Sequence, residues 1–208
     1  MIALMAFVKG IMLGIAIAAP VGPIGILCIR KTLTMGRRAG FISGLGAATA
    51  DAIYGFMAMF GLAVITQFLI KQSAWISLLG SLFLFYLACN TMMQPVTFTL
   101  ERDNRSTVND VRTFATTLLL TLTNPMTILL FLGIFAGVSM GTDPIASLCF
   151  IVGVFLGSAL WWFALTSAVG LFRKALGTSA MRMINGLSSL ILIGFGCYNL
   201  YQSLQALL

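Results

Sequence analysis

The chain has 208 residues, 60% of them hydrophobic and only 8% charged, with a formal net charge of +7 and a mean hydropathy of +1.05. Soluble domains carry about 25% charged residues, so a water-soluble globule is excluded and an integral membrane protein is expected. The basic residues fall in short clusters with no aromatic-interleaved groove, which argues against nucleic acid as a partner.

Apolar stretches occur at 4–30, 39–70, 73–94, 113–140, 145–172 and 183–206. Each meets the length of about 20 residues that a bilayer-spanning helix needs. They are continuous runs without the alternation of a barrel strand, so helices are expected. The first is longer than a signal-peptide core and is followed by no convincing cleavage site, so it reads as a retained helix.

The connections set the orientation. Arg30, Lys31, Arg37 and Arg38 follow segment 1. Arg102, Arg105 and Arg112, mixed with Glu101, Asp103 and Asp110, follow segment 3. Arg173, Lys174 and Arg182 follow segment 5. The alternate connections hold Lys71 or Asp143. The positive-inside rule then places loops 1, 3 and 5 in the cytoplasm and both termini on the periplasmic side.

The polar stretch 95–112 divides the single transporter domain, 1–208, into a first half, 1–94, and a second, 113–208. Three spans in each half force the second to enter the membrane upside down. Pro20 and Gly36 are spaced like Pro125 and Gly141, and Gly44 and Gly61 like Gly153 and Gly170. Corresponding helices thus carry echoes, as two inverted three-helix repeats would. The fold expected is an all-α membrane protein of six spans.

Helices 1 and 4 are expected to be broken. Pro20 and Pro23 remove backbone donors and fix φ, and Gly22 between them loosens the chain. Thr123-Asn124-Pro125 stands at the matching place in segment 4. Simple kinks are one account, since proline is tolerated in membrane helices when neighbours satisfy the freed carbonyls. Ligand-binding discontinuities are the other. Both breaks lie about 15 Å from the cytoplasmic end at 1.5 Å per residue, near the midplane of a core about 30 Å thick. Paired midplane breaks in inverted repeats are the signature of a transporter site.

Asp51 lies deep in segment 2, where a carboxylate costs about 2.5–3.5 kcal/mol to insert. Gly40, Gly44, Ala47, Asp51 and Gly55 share one small-residue helix face that carries it inward. It is either a structural group bonded to a neighbouring helix or a proton or ammonium site. Tyr54, one turn on, is placed to hydrogen-bond it. Trp161 and Trp162 fall in the part of segment 5 that aligns near it. Asn90, Asn185 and Asn199 read as interhelical hydrogen-bonding groups. Cys28, Cys89, Cys149 and Cys197 lie apart in apolar segments and the chain has no histidine. They read as small apolar fillers, without a disulfide or metal pattern. No nucleophile–base pair or phosphate loop appears, so no enzyme and no cofactor are expected.

Ala19-Pro20-Val21-Gly22-Pro23-Ile24-Gly25, then Cys28-Ile29-Arg30-Lys31-Thr32-Leu33, Gly36, Gly40, Gly44-Leu45-Gly46-Ala47-Ala48 and Asp51-Ala52-Ile53-Tyr54-Gly55 together resemble the LysE/RhtB family of amino-acid exporters. Leu122-Thr123-Asn124-Pro125-Met126-Thr127-Ile128, with Phe131, Phe135 and Ala136-Gly137, is similar to that family's fourth-helix motif. The resemblance implies six helices, a bacterial inner-membrane location, export of amino acids or close relatives coupled to protons, and, by analogy only, a homodimer. Its partners would be an amino-acid substrate, protons and membrane lipid. The paired breaks and the buried carboxylate, taken together with the resemblance, give a candidate site of Pro20, Gly22, Pro23, Gly25, Asp51, Tyr54, Asn124, Pro125 and Trp161. A substrate carboxylate would meet free N–H groups near Gly22 to Gly25 or after Pro125, and Asp51 would take its ammonium or the coupling proton. A small-cation exporter with Asp51 as ligand, and a non-transporting membrane scaffold, are the rival expectations.

Overall fold

A computed structural model describes residues 1–20, 22–59, 72–93, 107–124, 127, 131, 143–172 and 178–207. Among them are seven helices and no strand: α1 Ile2–Ala18, α2 Pro23–Met35, α3 Arg37–Met59, α4 Ser73–Met93, α5 Thr107–Leu122, α6 Pro144–Phe172 and α7 Thr178–Leu207. Among the described residues, the 29 residues of α6 are alone long and apolar enough to cross a bilayer, and the bent pair α1–α2 passes the same test as one span. Much of segments 2 and 4, with Pro125 and Gly141, lies outside the described residues.

The first apolar segment is interrupted as the prolines require. α1 stops at Ala18, Gly22 is extended, and α2 begins with Pro23, where its missing N–H and fixed φ suit a first helical turn. The axes of the two pieces differ by 82°.

The connection after α2 departs from the sequence expectation. Arg30 and Lys31 belong to helix α2, and Arg30 is only 7% exposed. The turn is one residue, Gly36, with φ 101°. Only glycine enters that region without steric cost, so α3 starts at once at Arg37. The basic cluster marked a segment end correctly in sequence but overstated the loop. In the same way, residues 107–112 form the first turns of α5, and Arg182 lies within α7.

Neighbouring helices pair in a consistent pattern. α1 and α6 run parallel: Gly10 lies on Phe150 and Gly153, and Gly14 on Val154. α3 and α5 are also parallel, with Arg38 beside Asp110, Ser43 bonded to Thr117 and Tyr54 to Leu122. α3 and α6 are antiparallel, since Gly40 faces Thr166, Gly44 faces Trp162 and Asp51 faces Ser158. α4 and α7 are antiparallel, with Ser77 against Asn199 and Phe85 against Gly196.

The distribution of side chains is that of a protein in lipid. Leu148, Val152, Leu156, Leu160 and Phe163 form an exposed stripe along α6 at helical spacing, and Trp75, Leu79, Leu82 and Tyr86 do the same on α4. Small and hydroxyl residues turn inward: Ser43, Thr117, Thr121, Ser158 and Thr166 are each at most 2% exposed. Without water to satisfy them, buried hydroxyls must find acceptors. Thr32 donates to the Cys28 carbonyl (2.7 Å), Thr121 to Thr117 (2.8 Å) and Thr166 to Trp162 (2.7 Å). Cys28 is buried, but Cys89 and Cys197 lie on exposed helix faces, contrary to a uniform packing role.

The Arg38–Asp110 bridge (2.8 Å) ties the start of α3 to the start of α5, with the arginine 66% exposed. Exposed pairs contribute about 0–1 kcal/mol. Arg38→Gln is therefore expected to lower stability by less than about 1 kcal/mol, measured as the thermal midpoint in detergent.

Candidate functional site

Among the described residues, two polar sites within the bundle bear on function. The first is Asp51, 3% exposed. The small face of α3 lets α6 approach so closely that a methyl group at Gly44 would overlap the Trp162 side chain. That approach puts the Ser158 hydroxyl within reach of the carboxylate, and it donates to Oδ2 at 2.7 Å. One turn along α6, Trp162 is 4% exposed and its indole N–H has no acceptor among the described residues. A hydrogen bond to a charged group contributes about 1.5–3 kcal/mol. Ser158→Ala should therefore lower stability by about that amount, read as a fall in thermal midpoint. An unchanged midpoint would mean that the hydroxyl does not hold Asp51.

The second focus is a small cavity where α2, α4, α5 and α7 meet. Pro23, Gly80, Thr123, Asn124 and Asn199 line it together with two leucines, and it has room for about one water molecule. Here the start of α2 and the end of α5 face one space. α5 stops at Leu122; Asn124 N–H then bonds back to the Thr121 carbonyl (3.2 Å), and Thr127 N–H to that of Asn124 (3.1 Å).

The residues singled out in the sequence are therefore distributed. Pro23 and Asn124 come together in the cavity. Gly22 caps α2 without a side-chain bond, and Gly25 is buried in its first turn. Pro20 is exposed ahead of the break. Pro125 lies outside the described residues. Asp51 does not line the cavity. Tyr54 does not bond Asp51: its hydroxyl donates instead to the Leu122 carbonyl at 2.7 Å, because α5 ends beside that turn of α3. Trp161 is half-buried against the central core, and it is Trp162 that meets α3 at Gly44.

Three residues at these foci were missed or misassigned. Ser158 is one of several small polar residues in an apolar helix, and only the α3–α6 register singles it out. Asn199 read as an interhelical hydrogen-bonding group; its backbone carbonyl does accept from Ser77 of α4 (3.5 Å), and the residue also lines the cavity. Trp162 stood beside Trp161 with nothing local to separate them.

Comparison with known proteins agrees with this architecture. Residues 15–203 match the model of the LysE type translocator family. The chain is 31% identical over 207 residues to YcgF of Bacillus subtilis (strain 168), provisionally named an amino acid efflux protein, covering 97% of this chain and 98% of that one. It is also 31% identical over 153 residues to the uncharacterized membrane protein YahN of Escherichia coli (strain K12), covering 72% and 69% respectively. The breadth of the family match, on a helical protein with a lipid-facing surface, establishes that this chain belongs to the LysE type translocator family and is a membrane transporter rather than an enzyme.

Proposed function

We propose that this transporter exports amino acids or closely related small zwitterionic metabolites across the bacterial inner membrane, coupled to the proton gradient. The observation that carries the coupling is Asp51, a carboxylate buried in the α3–α6 seam and held by a serine of the opposing helix. Ionisable groups inside membrane helices serve ion and proton pathways far more often than packing. The amino-acid substrate is supported by the name of the B. subtilis relative. It is supported too by the break between α1 and α2 and by the end of α5, which border one small cavity.

The architecture that fits this activity is two inverted three-helix repeats, 1–94 and 113–208, joined by a cytoplasmic connection and with both termini periplasmic. Helix pairing supports it. Exchanging α1 with α5, α3 with α6 and α4 with α7 turns the parallel α1–α6 pair into the parallel α5–α3 pair, and returns the antiparallel α3–α6 and α4–α7 pairs to themselves. Such repeats alternate access by rocking about a central site.

The test is counterflow in liposomes holding the purified protein, with leucine, threonine, lysine and glutamate as probes, with and without an imposed pH gradient. Uptake of at least one probe, stimulated by the gradient, is expected. Folded protein that moves none of the four would defeat the proposal.

A further inference from the structure

Among the described residues, one fully buried side-chain polar atom has no hydrogen-bond partner: the indole Nε1 of Trp162. The residue is 4% exposed. An indole nitrogen can only donate, and a buried donor left idle is disfavoured. Its place in the core therefore points to an acceptor that it meets in another state of the protein.

The surroundings narrow the choice of acceptor. Trp162 stands one turn after Ser158 on α6, and Ser158 holds Asp51. The base of the Trp162 side chain rests on Gly44 of α3. Ala47 and Ala48, between Gly44 and Asp51, belong to the same buried cluster. Long side chains on a helix lean back over the preceding turn. Because α3 and α6 are antiparallel, Trp162 leans towards Ser158 while Asp51 leans towards Gly44. Gly44 and Asp51 are about 10 Å apart along α3 at 1.5 Å per residue, and the two side chains close that interval from opposite ends. Other hydroxyls nearby are engaged, Thr166 with the Trp162 carbonyl and Tyr54 with that of Leu122. Asp51 is the buried carboxylate among the described residues, and an ionised carboxylate accepts several donors.

We infer that Trp162 is the positioning residue of the proton step: its indole N–H donates to the Asp51 carboxylate once that group has released its proton. The proton passes to water admitted on the open side, and the electrons of the broken O–H bond stay on the carboxylate. The indole N–H then moves onto the charge and draws the α3–α6 seam together. Reprotonation frees the indole, which is the arrangement seen here. Hydrogen bonds to ionised groups are roughly twice as strong as neutral ones, so the loss of a proton is translated into a closer approach of two helices. This rests on the proton coupling proposed above and names the residue that responds to it.

Little else faces Asp51. α6 carries no charged residue. Arg30 and Lys31 of α2, and Asp110 and Arg112 of α5, lie towards the Arg38 end of α3. Cys28 of α2 faces Ser43. Lys9 of α1 is exposed. On α3 itself the nearest titratable group is Tyr54, whose hydroxyl is held by α5.

The test is nuclear magnetic resonance of the full-length protein, with isotope-labelled tryptophan, across a pH series. The chain has three indole N–H groups, of Trp75, Trp161 and Trp162. Loss of a signal in Trp162→Phe assigns the third, or elimination with Trp75→Phe and Trp161→Phe does so where that variant fails to fold. The Trp162 signal is expected to move downfield as the pH rises in wild type and to stay fixed in Asp51→Asn. In liposomes, Trp162→Phe is expected to lower the ratio of gradient-driven to gradient-free uptake about tenfold, the effect of one hydrogen bond to a charged group. Loss of folded protein would lower both rates alike and leave that ratio unmoved. A Trp162 signal that ignores pH in wild type, or that moves equally in Asp51→Asn, overturns the inference, as does an unchanged ratio in Trp162→Phe. A transporting wild type with a fixed Trp162 signal overturns the pairing alone. A titrating signal in wild-type protein that moves no probe overturns the exporter and upholds the pairing.

Discussion

Asp51→Asn is expected to abolish export driven by a pH gradient while leaving a folded protein. The substitution is nearly isosteric, and the new carboxamide oxygen still accepts from Ser158, whose hydroxyl bonds Oδ2 at 2.7 Å in the native chain. Packing in the seam is therefore preserved. What is lost is the group able to carry a proton in a region where a charge costs about 2.5–3.5 kcal/mol. Gradient-driven efflux from liposomes should fall at least about tenfold, equivalent to about 1.4 kcal/mol, while gradient-free counterflow persists. Gradient-driven rates equal to wild type in the variant would show that Asp51 is a packing group and that coupling resides elsewhere.

The second large effect is expected at the glycine seam between α1 and α6. A methyl group at Gly157 would fall on the backbone carbonyl of Ile11, and one at Gly153 on that of Phe7. These neighbours are main chain and cannot rotate away. Overpacking a tight site costs about 1–3 kcal/mol even where side chains can yield. Gly157→Leu is therefore expected to cost at least about 3 kcal/mol and to leave little folded protein after detergent extraction. A methyl group at Gly194 on α7 would meet nothing within 4 Å among the described residues, and Gly194→Ala should stabilise by about 0.5–1 kcal/mol through helix propensity. Comparable thermal midpoints for both variants would contradict the close approach of α1 and α6.

The helix break at Pro20–Pro23 was legible in the sequence because a missing N–H and a fixed φ act locally, whatever surrounds them. Asp51 was legible because a carboxylate in an apolar segment demands an explanation by itself. Ser158, Trp162 and Asn199 gain their roles from residues roughly a hundred positions away, and side-chain type alone carries no information on interhelical register. Tyr54 shows the same limit. One helical turn separates it from Asp51, but the end of α5 supplies a closer acceptor. The basic residues Arg30 and Lys31 misled because charge marks proximity to a membrane surface, not the absence of a helix, and Gly36 compresses the turn to a single residue.

The parallel seam joining α1 to α6 also has a cost in time. α1 packs its glycines on a helix from the far half of the chain. At about 5–20 residues per second, α6 leaves the ribosome roughly 7–30 s after α1. Throughout that interval the notched face of the first helix lacks the α6 backbone that finally fills it. Its final docking must await nearly complete synthesis, which makes biogenesis dependent on holding an early segment in a provisional place. Long-range closure of this kind slows assembly, so the helix made first is among the last to be locked in.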